Sequence, residues 1–134
     1  MRMRLITKNT DYAVRALCFM ARQKDEIMAV TELARKLHIP RPFLRKILQI
    51  LNKRGLLRSY RGQAGGFMLA RPPDSIFLTE LIEIFQGPVK LNDCILKKGL
   101  CYNIRTCLLK SKIDDVEKRV IRELESITVK SLLN

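Results

Sequence analysis

The stretch from Ile39 to Arg71 constrains this chain more than any other. It opens with Pro40-Arg41-Pro42. Pro42 suits a first helical turn, where a missing N–H costs no hydrogen bond. Leu44, Ile47, Leu48 and Leu51 then recur at i, i+3, i+4 and i+7, one apolar stripe of a helix. Gly55 follows Lys53 and Arg54 as a C-terminal cap, with both cations suited to the helix end. Arg41, Arg45, Gln49 and Asn52 fall away from the stripe, and no acid lies among them. Leu56 to Tyr60 reads as a strand, Arg61 to Gly66 as a glycine-rich turn, and Phe67 to Ala70 as the returning strand. A helix with a basic outer face followed by a basic hairpin is the layout of a winged helix on DNA. The helix would enter the major groove and the wing would reach phosphates or the neighbouring minor groove. The plain alternative is a solvated amphipathic helix and a surface hairpin, where acids would normally be mixed in.

The charge distribution agrees. The chain carries 26 Lys+Arg against 13 Asp+Glu. Residues 1–75 hold 16 of the bases and only 5 of the acids, whereas residues 76–134 hold 10 and 8. The positive field therefore sits in the half with the helix and hairpin, as expected where phosphate neutralisation drives binding. An anionic membrane surface would attract the same charge, but a membrane-lying helix should add bulky aromatics, and Trp is absent. No run of 18 or more apolar residues is present, and the N-terminal residues lack a signal-peptide pattern. A cytoplasmic location without membrane contact is the expectation.

The chain in order predicts a mainly α fold with a small β-hairpin wing. A helix over residues 10–22, capped by Asn9 or Thr10, would bury Ala13, Ala16, Leu17 and Met20, with Cys18 as a core thiol. Residues 23–29 read as a polar connection. Thr31 is the expected cap of a short helix over 32–38, which with the basic-faced helix makes a helix-turn-helix. His38, the single histidine, stands at the turn. Thr79 is expected to cap a helix stopped by Gly87-Pro88. A loop over 89–106 follows, and residues 108–133 read as one long helix with Ile113, Val116, Val120, Leu124 and Ile127 along it. Such a helix needs cover for its apolar side; its twin in a symmetric dimer is the simplest source, and folding back on its own domain is the alternative. The expected organisation is a winged helix-turn-helix domain over 1–88, a cysteine-rich segment over 89–107 and a dimerisation helix over 108–134.

Cys94, Cys101 and Cys107 fall within that segment, spaced by six and five residues. Thiolates are soft ligands, favoured by iron–sulfur clusters, zinc and copper(I), and the spacing exceeds the tight knuckle of zinc ribbons. A four-ligand site needs one donor more. The alternatives are reduced thiols acting as a switch, or zinc. With one His, and no Ser/His/Asp, metal–histidine or P-loop pattern, no catalytic constellation is visible.

Several motifs together resemble one family. They are Thr10-Asp11-Tyr12-Ala13-Val14-Arg15-Ala16-Leu17, Leu33-Ala34, Gly55-Leu56-Leu57, Arg61-Gly62-x-x-Gly65-Gly66-Phe67, Gln86-Gly87-Pro88 and the three-cysteine segment. Nearly the whole chain is similar to the winged-helix iron–sulfur transcription regulators that include IscR and NsrR. The resemblance implies a homodimer binding a pseudo-palindromic duplex, with a 2Fe–2S or 4Fe–4S cluster near the dimer interface controlling operator binding. It implies Cys94, Cys101 and Cys107 as ligands. IscR-like members use a histidine three residues after the last cysteine, where this chain has Lys110. NsrR-like members use an aspartate from the other subunit, and Asp11 stands at that position, where its plain role is a favourable charge at a helix start. The expected function is a regulator, most simply a repressor, responding to nitric oxide, redox state or iron supply. The expected DNA-contacting residues are Arg41, Pro42, Arg45, Lys46 and Gln49 on the helix and Arg58, Arg61, Gln63 and Gly65 on the wing. A cluster-free regulator is one alternative, and a basic module acting on RNA or protein is another.

Overall fold

The computed structural model describes residues 5–90 and 108–133. Among the described residues, five α-helices and one hairpin follow in the order α1 (Lys8–Arg22), α2 (Val30–Leu37), α3 (Arg41–Lys53), β1 (Leu57–Tyr60), β2 (Gly66–Leu69), α4 (Leu78–Gln86) and α5 (Leu108–Leu124). Short 3-10 turns occupy Pro73–Ser75 and Lys130–Leu132. This is a mainly α fold with a small wing.

The core gathers the apolar stripes of α1 to α3 beneath the hairpin. Ala13, Ala16, Leu17 and Met20 from α1 meet Leu33 from α2, Leu44, Ile47, Leu48 and Leu51 from α3, and Leu56, Leu57 and Phe67 from the wing. The α3 stripe is buried throughout, so the 3.6-residue period alone decides which side of α3 faces out. Two left-handed turns shape the motif. His38 closes α2 at φ 55, and the Ile39 N–H reaches back to the Ala34 carbonyl. Gly55 closes α3 at φ 82, with the Gly55 and Leu56 N–H groups donating to the carbonyls of Asn52 and Leu51. Both are Schellman-type ends, where left-handed backbone frees the chain to turn sharply. At the second, glycine avoids the Cβ penalty that His38 bears at the first.

The wing is a two-stranded antiparallel sheet with Arg58 opposite Met68 and Tyr60 opposite Gly66. Met28 extends it by exchanging both backbone hydrogen bonds with Phe67, each at 2.9 Å. The connection after α1 is therefore polar only as far as Glu26. A Cβ on Gly66 would collide with the Met28 carbonyl, so glycine lets the third segment approach.

Four sequence expectations are corrected. Thr7 caps α1, accepting from the Thr10 N–H, while Thr10 lies inside the helix and fully buried. The N-caps of α2 and α4 are Ala29 and Phe77, without side-chain capping bonds, so Thr31 and Thr79 lie inside their helices. Most consequentially, α5 ends at Leu124 instead of running to Leu133. Ser126 donates to the Glu123 carbonyl, and Thr128 and Ser131 exchange side-chain-to-backbone bonds, local partners that compete with helix continuation. The backbone then turns back. Leu78 donates to the Ile127 carbonyl and Val129 to the Ile76 carbonyl, both at 2.9 Å, and Val129 is buried in the same core as α1 to α3.

Candidate nucleic-acid interface and cysteine segment

Because Leu44, Ile47, Leu48 and Leu51 point inward, the rest of α3 is offered outward. Arg41, Pro42, Arg45, Lys46 and Gln49 are all exposed. The first turn of α3 contains no acid, and among the described residues none of its cations is ion-paired. Arg58 on β1 and Arg61 and Gln63 at the hairpin tip are exposed as well. Gly65 is partly covered; a Cβ there would strike the Tyr60 and Gly62 carbonyls. Glycine at 65 thus shapes the tip, whatever else its backbone touches. Arg71 behaves differently from the other wing arginines. It pairs with Glu80 at 2.8 Å and donates to the Ser75 carbonyl, tying the wing exit to α4. α3 and the wing therefore each present exposed cations, side chains of the kind that grip phosphates and meet base edges.

The cysteine segment is approached from both ends. Cys94, Cys101 and Cys107 lie outside the described residues. Before them stands Gln86, whose role in its motif could not be read from the sequence. Its Oε1 accepts from the Thr7 N–H at 3.0 Å and from the Thr10 hydroxyl at 2.7 Å, and its Nε2 donates to the Leu5 carbonyl at 2.8 Å. One amide therefore fastens the end of α4 to the start of α1, beside Asp11. Asp11 is half exposed and pairs with Arg15, itself half exposed, at 3.1 Å. A surface i,i+4 pair of this kind is worth well under about 1 kcal/mol, so Asp11 is cheaply released for another partner. After the segment, Lys110 pairs with Asp114 at 2.7 Å, a cation in the place of a histidine donor. Cys18 is buried within α1, and burial pushes its thiol above the ordinary value, with Arg22 opposing more weakly. A neutral, enclosed thiol is a poor ligand and a poor nucleophile. Among the described residues no group of three or more His, Cys, Asp or Glu is placed to hold a metal, and no helix is long and apolar enough to cross a membrane.

Comparison with known proteins agrees with this architecture. Residues 6–134 match the Rrf2 family, described as iron-dependent transcriptional regulators. A helix-turn-helix-type transcriptional regulator of Aquifex aeolicus is 34% identical over 125 residues, covering 92% of this chain and 87% of the relative. The regulator NsrR of Halalkalibacterium halodurans is 30% identical over 130 residues, covering 96% and 89%. Among solved structures, T. potens IscR superposes with a TM-score of 0.74 at 26% identity, covering 96% of this chain and 85% of that one. The cysteine regulator CymR of B. subtilis superposes at 0.75 with 21% identity, covering 98% and 97%, which speaks to the fold alone. Family members are transcriptional regulators and not enzymes. The chain belongs to the Rrf2 family of winged-helix, DNA-binding transcriptional regulators.

Proposed function

We propose that this regulator acts as a homodimer whose operator binding is set by an iron–sulfur cluster held on Cys94, Cys101 and Cys107. The observation that carries the reading is the donor set itself: three soft thiolates within fourteen residues, between the Gln86 clamp and α5. Asp11, half exposed and weakly paired at the head of α1, is the fourth ligand in this reading, supplied from the other subunit. A carboxylate is a harder donor than thiolate, which makes this position the exchangeable one, where nitric oxide, oxygen or iron loss would act first. The regulator is a repressor in this reading. The cluster supplies a signal-sensitive link; the chain supplies the DNA grip.

For that grip, Arg41, Arg45 and Gln49 read base edges. Arg suits guanine O6 and N7, and Gln suits adenine. Arg58, Arg61 and Gln63 hold the backbone or minor groove through the wing, with Lys46 and Pro42 alongside α3 and Gly65 shaping the tip. Two copies read a pseudo-palindrome, joined through the apolar side of α5.

The test is protein purified without oxygen. Acid-labile sulfide and iron in matching amounts, with a visible chromophore, are expected. Cys101→Ala should lose the chromophore while remaining dimeric. Full-strength colour in Cys101→Ala would remove that residue from the ligand set. Zinc in place of iron would favour the cluster-free reading.

A further inference from the structure

The outward side of α3 holds one residue that its cationic character does not explain. Phe43 sits in the first helical turn and is 55% exposed, the most exposed aromatic among the described residues. It has no part in the core, because Leu44, Ile47, Leu48 and Leu51 already fill the inward side. On a helical wheel Phe43, Lys46 and Ile50 fall at i, i+3 and i+7, one flank of the outward face. Ile50 is also open to solvent, at 38%. Arg41 and Arg45 lie on the opposite flank. The exposed side of α3 is thus two-sided, with hydrogen-bond donors along one edge and an apolar strip, broken by Lys46, along the other.

We infer that Phe43 is a specificity-determining residue that recognises thymine through its 5-methyl group in the major groove. This rests on the reading of α3 as the base-contacting helix. The physical reason is selective. The thymine methyl is the one apolar group that base edges offer in the major groove, and aromatic or small apolar side chains are its natural partners. Residues of the first turn of a recognition helix approach base edges most closely, and Phe43 is the third residue of α3. The cations that share the outward side, Lys46 beside Phe43 and Arg41 and Arg45 on the other flank, fit the polyanionic groove of a duplex better than an apolar protein surface. A phenyl ring so placed leaves water when the methyl meets it. Cytosine offers no such group.

The experiment begins with selection from random duplexes by the full-length dimer. Each thymine of an enriched half-site is then replaced singly by deoxyuridine, which deletes only the methyl group. Equilibrium binding is measured for the wild type, Phe43→Ala, Phe43→Leu and Arg45→Ala. At one or two positions the wild type should lose about fourfold in affinity per methyl removed, the equivalent of one buried methylene-sized group. Phe43→Ala should bind the thymine and deoxyuridine duplexes equally at those positions. Phe43→Leu should keep part of the difference, and Arg45→Ala should keep all of it. An identical uracil penalty in wild type and Phe43→Ala would overturn the assignment, as would a sedimentation shift showing that Phe43→Ala changes the oligomer instead. If no duplex is enriched, the base-reading role of α3 fails and this inference fails with it. If duplexes are enriched but indifferent to the methyl, this inference fails alone.

Discussion

Helices α3 and α5 are both amphipathic, yet the chain treats their apolar sides in opposite ways. On α3 every stripe residue is buried by the same subunit, and the outward face carries cations with no acid in its first turn. On α5 only the end is closed: Leu124 is buried and Ile113 and Val120 are partly covered, but Leu108 is 80% exposed, Leu109 69% and Val116 45%, while acids and bases are interleaved along the helix and Lys110 pairs with Asp114. Charge neutralised within α5 leaves little pull on a polyanion, and uncovered leucine and valine favour protein contact. Uncompensated charge over a closed core does the reverse. α3 is finished within one subunit, whereas the open part of α5 fits the proposed dimer contact.

The largest expected effect lies on the finished side. Leu48→Ala, at a fully buried position, should cost about 2–5 kcal/mol of folding stability. Denaturant midpoints measured at several protein concentrations should show that loss unchanged by dilution. A loss that grew on dilution would mean that α3 too is completed by a partner.

Next comes the joint between the halves. Gln86→Leu removes an acceptor shared by the Thr7 N–H and the buried Thr10 hydroxyl, and a donor to Leu5. A loss of about 1–3 kcal/mol is expected, with faster amide exchange at the start of α1. Unchanged exchange there would make the clamp incidental.

Arg45→Ala is expected to leave folding intact and cost about 1–3 kcal/mol in operator binding with relaxed base preference. Arg58→Ala should instead weaken all duplexes alike and lower the salt slope by about one. Reversed patterns in a binding titration at several salt concentrations would interchange the roles of α3 and wing.

The smallest effect belongs to α5. Val116→Ala should leave the melting of the winged-helix core nearly unchanged and weaken dimerisation by about 0.5–1.5 kcal/mol, read by sedimentation equilibrium. A fall in the core's stability without a change in association would place Val116 against its own subunit.

What could be read from the sequence follows the same division. Leu44, Ile47, Leu48 and Leu51 declare α3 because burial on one side imposes a 3.6-residue period, and Gly55 declares its end because left-handed backbone favours glycine. The end of α5 was not legible. Ile127 and Val129 continue an apolar pattern beyond Leu124, but they serve a bridge between Thr128 and Phe77 that only the tertiary fold creates. Met28 escaped for the same reason, since a single bridging residue has no periodicity. The caps at Ala29 and Phe77 were invisible because neither uses a side-chain bond, and a nearby threonine is the better sequence signal. Gln86 stood inside a recognised motif, but its three partners lie up to 81 residues away in the chain. Of the candidate surface, the outward placement of the cationic residues was legible from charge and phase. The exposure of Phe43 was not, because an aromatic beside a core leucine looks like core.

In the proposed function, iron held on the cysteine segment decides how firmly the α3 faces of a dimer grip DNA. The most direct measurement is fluorescence anisotropy of an enriched operator, titrated with oxygen-free protein before and after iron chelation, with mass followed in parallel. At least a tenfold loss of affinity is expected, with the dimer intact. Equal affinity before and after, on protein proved to have lost its iron, would rule out control by the cluster.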